Sequence, residues 1–273
     1  MKTDITLPAY LGYAFIQRAY IAGSFIAVVC AVLGLFLVLR KLSLIGDGLS
    51  HVGFGAIALG LFLGIYPVYV AIPVVMAASY FILKLTEKAR MYGDAAVGIV
   101  SSFGIASGVI LAGLSRGFNA DLFSYLFGNI LAIGAQEVYL SLGLSLAVLA
   151  VVVLLYNDLF SATFDEEYAR ITGVKTERIN LTLTLLTAVA VVLAVRVAGI
   201  MLVSALLVLP AVTALQIAGG FKGAMLISVC AAVVSVVTGI TLSFFLDLPA
   251  GATIVMVNVA VFVFALGIKK YFL

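Results

Sequence analysis

Blocks of predominantly apolar residues, 17 to 25 long, recur along the whole of this chain and constrain its fold more than any other feature. A hydrocarbon core about 30 Å thick takes about 20 helical residues to cross. A membrane β-barrel would instead alternate apolar and polar residues along strands of about ten. With 65% hydrophobic and 10% charged residues and a mean hydropathy of +1.31, the chain lies far above the ~45–50% apolar content of soluble domains. The predicted fold is all-α, a polytopic transmembrane bundle of eight or nine spans. Those spans fall near 19–39, 47–65, 67–85, 95–115, 136–156, 181–197, 199–219, 224–246 and 252–268. The longest polar stretch is about 24 residues, 157–180, so residues 1–273 read as a single transmembrane domain. The 26 glycines suit helices that pack closely in lipid, where small residues let backbones meet.

Topology follows from the basic residues. Loops at 40–41, 84–93, 157–180, 220–223 and 269–270 carry Arg40, Lys41, Lys84, Lys88, Arg90, Arg170, Lys175, Arg178, Lys222, Lys269 and Lys270. Lys2, Arg18, Arg116 and Arg196 go to the other side. The positive-inside rule makes the first side cytoplasmic. The C-terminus is then inside and, with nine spans, the N-terminus outside. Residues 1–18 read as an interfacial lead-in, and 124–134 (SYLFGNILAIG) as a segment too short to span. Cys30 and Cys230 both fall in apolar blocks and are predicted to be buried small hydrophobes.

Within the second block stand Asp47 and His51, the latter the only histidine in the chain. An i,i+4 spacing puts both on one helix face, where an oxygen and a nitrogen donor can hold one cation. Counted as helix from Arg40, they lie roughly 10 and 15 Å deep, near the midplane. An intramembrane carboxylate costs at least ~2.5 kcal/mol by insertion scales, so such acids usually carry a function. The structural alternative is an aspartate capping the second helix, with a histidine that only packs. Gly46, Gly48, Ser50, Gly53 and Gly55 leave room beside the ring for a close helix or a passing ion. His51 must be neutral to bind a metal, so binding is expected to weaken as pH falls.

In the 157–180 stretch, Thr163 followed by Glu166 has the spacing of a capping box. Asp165, Glu166 and Glu167 would stand at the positive end of a short cytoplasmic helix that Gly173 would end. That helix is either a solvated connector or a docking element for a partner. Asn258, Gln216, Thr213 and Ser204 are expected to hydrogen-bond between helices, and Pro210 to kink or break its own.

The stretch RKLSLIGDGLSHVGFGAIALG at 40–60 resembles the second-helix signature of the membrane subunits of bacterial zinc and manganese ABC importers, the ZnuB-type permeases. The resemblance continues in DLFSYLFGNILA (121–132), FDEEYARITGV (164–174), LLVLPAVTA (206–214) and DLPAGAT (247–253), in family order. It implies a homodimeric, multi-pass permease in the bacterial cytoplasmic membrane. Its partners would be a cytoplasmic ATPase and an extracytoplasmic metal-binding protein. It places Asp47 and His51 along the translocation path and makes 157–180 a coupling element, with Glu167, Ala169 and Gly173 on recurrent positions. YLFGNILA is most similar to zinc permeases, which puts zinc ahead of manganese or iron.

No GxxxxGK[ST] occurs, so ATP would be bound only by a partner subunit. No nucleophile–base arrangement points to an enzyme, and no permanently bound cofactor is implied beyond the transported ion. The basic residues lack interleaved aromatics, which argues against nucleic acid. The competing classes are a self-sufficient secondary metal transporter, without a visible inverted repeat to support it, and an ABC permease for a larger metal chelate.

Overall fold

A computed structural model describes residues 12–88, 91–114 and 120–272. Among them the chain is helical throughout, with no strand. Nine helices are long: α1 (Ala14–Leu39), α2 (Ile45–Leu63), α3 (Pro67–Lys88), α4 (Gly93–Leu114), α6 (Ala135–Leu154), α9 (Thr176–Ala198), α10 (Val203–Ile217), α11 (Phe221–Leu246) and α12 (Ala250–Phe272). Three are short: α5 (Ala120–Phe127), α7 (Tyr156–Phe164) and α8 (Glu166–Ile171). Counting the 3-10 turn Ile200–Leu202 with α10, nine described segments are long and apolar enough to cross a membrane. Each predicted span falls on one of them. The first begins at Ala14, so Phe15 and Arg18, expected in an interfacial lead-in, belong to the spanning helix. Residues 1–11 lie outside the described residues. The segment judged too short to span is α5 followed by the 3-10 turn Ile130–Ala132.

Burial separates inner from outer helices. In their most apolar stretches α1 and α2 are 72% buried and α9 is 67% buried, against 22–44% for the other six. A bundle in lipid gains nothing by hiding apolar side chains from tails that are equally apolar. Its inner helices are therefore marked by close backbone approach. A methyl group added at Gly104 of α4 would lie 2.6 Å from the Val52 Cα and 2.8 Å from the His51 carbonyl oxygen of α2. One added at Gly55 would lie 2.6 Å from the Gly104 carbonyl. One at Gly34 of α1 would overlap the Leu207 carbonyl of α10. At the outer end, Gly128 (φ +74°) and Gly199 (φ +82°) meet backbone to backbone, and Gly251 of α12 closes on the Ala198 carbonyl. Here both the left-handed dihedrals and the missing Cβ are needed.

Several expectations are corrected. Cys30 is buried, but Cys230 is exposed on the outside of α11. Of the kink or break expected at Pro210, a break is absent: α10 runs through it. Thr213 does not bridge helices; its hydroxyl donates to the Leu209 carbonyl of its own helix at 2.7 Å. Ser235 and Asn258 do bridge α11 and α12 at 3.1 Å, and Lys269 donates to Gln216 between α12 and α10 at 3.0 Å.

The α2–α4 seam makes a direct prediction. Gly104→Ala should destabilise the detergent-solubilised protein by about 1–3 kcal/mol, the usual cost of overpacking. Gly98→Ala, on the same helix with nothing within 4 Å of the added methyl, should leave the thermal unfolding midpoint unchanged or slightly raised.

Candidate functional site

Asp47 is the third residue of α2, and His51 follows one turn later. His51 Nε2 stands 3.6 Å from Asp47 Oδ2, with the two side chains 27% and 49% exposed. That separation is too long for a hydrogen bond. It is close to the roughly 3.3 Å between two donors that each sit ~2.0–2.2 Å from one tetrahedral ion. The other Asp47 oxygen accepts from the Ser204 hydroxyl of α10 at 3.2 Å. Fully buried Ser50 donates to the Asp47 backbone carbonyl at 2.8 Å, within the same turn. Among the described residues no group of three His, Cys, Asp or Glu side chains gathers into a metal cluster.

At about 100° per residue, Gly46 and Gly48 lie on opposite flanks of Asp47, and Gly55 falls near Gly48. Gly46 faces Leu207 of α10, while Gly48 and Gly55 face Val97 and Gly104 of α4. The neighbours thus grip α2 by its flanks and leave the Asp47–His51 stripe between them partly exposed.

The helix does not run on from Arg40. Lys41 adopts φ +58°, Lys41 N donates to the Val38 carbonyl, and Leu42 N to the Leu37 carbonyl. These are the paired bonds of a Schellman stop, so the depth count from Arg40 assumed more helix than exists. Depth is better measured along α10. Ser204, bonded to Asp47, precedes Gln216 by twelve residues, about 18 Å of rise. Gln216 is bonded to Lys269 at the basic end of the bundle. Along α10 the carboxylate thus stands about 18 Å of rise from that end, while along α2 it lies in the helix's first turn.

At the basic end, α7 and α8 form the connector. Tyr156, Phe160 and Phe164 fall one turn apart along α7, and Phe160 and Phe164 pack on Phe221, with ring centroids at 5.1 and 5.8 Å. Phe221 in turn meets buried Phe36 of α1 at 5.3 Å. The capping expectation is corrected here. Thr163 bonds back to the Leu159 carbonyl, and Asp165 is the N-cap, its Oδ1 accepting from Tyr168 N at 2.9 Å. Asp165 alone is extended (φ −151°, ψ 100°) where the two helices meet, as an N-cap must be. Gly173 (φ +93°) ends α8, with Val174 N on the Ala169 carbonyl at 2.9 Å. Ala169 is fully buried against the bundle, whereas Glu167, Tyr168 (61%) and Ile171 (84%) are exposed. Glu166 interacts with Arg40 and Asn180, two residues outside the predicted set. Burial pulls the Arg40 pKa below its ordinary value, and Glu166 pulls it back up.

A second polar cluster, not anticipated, closes the opposite end. Arg196 of α9 pairs with Glu137 of α6, and Tyr66 donates to the same carboxylate. The Arg196 guanidinium also stacks 4.6 Å from the Tyr125 ring. The cluster borders a cavity of about 590 Å³. The available signal was a lone acid and a lone base at the same end of two apolar blocks.

The profile of the ABC 3 transport family matches residues 12–269. The manganese transport system membrane protein MntC of Halalkalibacterium halodurans is 31% identical over 259 residues, 93% of this chain and 87% of that one. The high-affinity zinc uptake system membrane protein ZnuB of Haemophilus influenzae is 29% identical over 249 residues, 91% of this chain and 95% of that one. In three dimensions the chain superposes on PsaBC from Streptococcus pneumoniae, solved in complex with Fab, with a TM-score of 0.88 at 28% identity. That match covers 99% of this chain and 98% of the other.

The connector can be tested by itself. Asp165→Ala should cost about 1 kcal/mol of local stability, the usual value of an N-cap. It should show as faster amide hydrogen exchange in residues 166–171, with exchange in α9 unchanged.

Proposed function

The chain belongs to the ABC 3 transport family, and on that premise we propose that it is the membrane permease of an ATP-driven importer that carries manganese or zinc into the cytoplasm. The observation that carries this reading is the Asp47–His51 pair: two donors 3.6 Å apart and partly exposed, on a helix long and apolar enough to cross the membrane. Facing lipid, an ionised carboxylate on such a helix costs several kcal/mol. Facing a polar passage between two copies of the chain, it becomes a place for a cation. Two copies would offer two carboxylates and two imidazoles, and water would complete the shell. The whole chain acts as one permease domain in this scheme, as a homodimer in the cytoplasmic membrane.

The metal follows from the donors and from the relatives. A mixed nitrogen and oxygen set without thiolate suits zinc and, with added water, manganese. Zinc came first on the likeness of YLFGNILA to zinc permeases. MntC, named for manganese, is slightly more similar to this chain than ZnuB, named for zinc, and on that ground we place manganese first. Binding by few donors also allows the release that transport requires.

The connector supplies the partner. Tyr168 and Ile171 expose apolar side chains on a short helix at the basic end, where a soluble subunit would cover them. That subunit is the ATPase, with Asp165, Glu166, Glu167, Ala169 and Gly173 shaping the element it pushes. An extracytoplasmic metal-binding protein would deliver the ion at the opposite end.

Proteoliposomes containing the chain, its ATPase and its binding protein should take up manganese and zinc only with ATP inside the nucleotide compartment. Uptake by the chain alone would overturn the ABC reading. Asp47→Ala and His51→Ala should abolish uptake with the dimer intact. Ser204→Ala, which frees the Asp47 carboxylate, should raise the KM for metal roughly tenfold, as loss of a ligand-orienting partner does.

A further inference from the structure

Glu166, the first residue of α8, is where three elements meet. Its Oε1 accepts from Asn180 Nδ2 of α9 at 3.2 Å and lies 3.7 Å from Arg170 Nη2 of its own helix. Its Oε2 lies 3.7 Å from Arg40 Nη2 at the end of α1. The same Arg40 nitrogen donates to Asn180 Oδ1 at 2.6 Å. Asn180 thus gives its amide to the acid and its carbonyl to the base, and the three side chains close a ring. The Arg40 side chain is only 9% exposed, whereas that of Glu166 is 43% exposed. A guanidinium so enclosed depends on its partners, because an unpaired charge at a buried site is strongly unfavourable.

Arg40 also sits at a particular place in the chain. It caps α1 immediately before Lys41, whose positive φ reverses the backbone. Four residues later α2 begins, and Asp47 is in its first turn. α8 packs on α7 and α9, so Arg40 provides a polar connection from α8 to the turn that carries the cation-facing helix.

We propose that Arg40 is a positioning residue for transport: through Glu166 and Asn180 it conveys displacement of α8 to the foot of α2, and so to Asp47 and His51. This rests on the permease function proposed above. A push on α8 moves Glu166, Arg40 follows its charge partners, and the reversed turn at Lys41 passes the shift into the first turn of α2. Without the ring, α8 would still move with the ATPase, but the cation stripe would not follow.

The test uses the complete complex of permease, ATPase and binding protein in proteoliposomes, with manganese and zinc as probes, and reads metal ions moved per ATP hydrolysed. Arg40→Gln and Glu166→Gln should each lower that ratio by roughly fivefold, within the range for residues that transmit coupling, while ATPase activity and complex assembly persist. The reversed pair, Arg40→Glu with Glu166→Arg, should restore at least part of the loss. Lys222→Gln, which removes an exposed charge from the same end but outside the connector, should leave the ratio at the wild-type value. If Arg40→Gln fails to assemble, the half-exposed Glu166→Gln carries the test. A wild-type ratio in both single variants would overturn the inference. So would an equal loss in Lys222→Gln, or a loss that only tracks assembly and is not relieved by the reversed pair. Absence of ATP-driven uptake by the wild-type complex would instead overturn the function on which the inference rests.

Discussion

Everything in this bundle depends on how closely α2 can be approached from two sides. Lipid tails compete equally well for apolar side chains, so helices associate here by fitting backbone against backbone. Gly46, Gly48 and Gly55 provide that fit on α2, and Gly104 returns it from α4. The close backbone contacts lie on the flanks, and the stripe between them stays partly exposed. Asp47 and His51 occupy that stripe. A larger residue at any of these glycines would push a neighbour away and change the setting of both donors together. The setting of the Asp47–His51 pair is thus tied to how the flanking glycines pack.

Much of this was legible before any coordinates. Apolar runs long enough to cross a bilayer leave little choice but helices, and each predicted span coincides with an observed one. The Asp47–His51 pair was equally legible, because i,i+4 neighbours share a face whatever surrounds them. What could not be read were partners distant in sequence. Ser204 was expected to bridge helices, yet nothing local to it names Asp47, 157 residues away. Arg40 was read as a topology marker and as the start of the second-helix signature, although its partners lie beyond residue 165. Thr163 fitted a capping box by spacing, but helix α7 runs past it, and the break in backbone direction falls at Asp165. Cys230 reads as apolar by its neighbours, and only tertiary structure shows that its side of α11 faces outward.

The distribution of charge partners distinguishes the site from the rest of the membrane-embedded polar residues. At one end Arg196 has Glu137, with Tyr66 on the same carboxylate. At the other, Arg40 has Glu166, with Asn180 between them. Each of these two enclosed guanidiniums therefore has a fixed counter-charge, as enclosed ions must. Asp47 is different. Among the described residues its ion-pair partner is His51 alone, beyond hydrogen-bond distance, and its hydrogen-bond donor is the uncharged Ser204. No lysine or arginine of the described chain completes it. A carboxylate kept without a permanent cation, next to an imidazole that binds metal only when neutral, retains its attraction for a mobile one. On the proposed function, the missing counter-charge is what leaves Asp47 open to a mobile cation, while the guanidiniums of Arg40 and Arg196 are fastened by fixed acids.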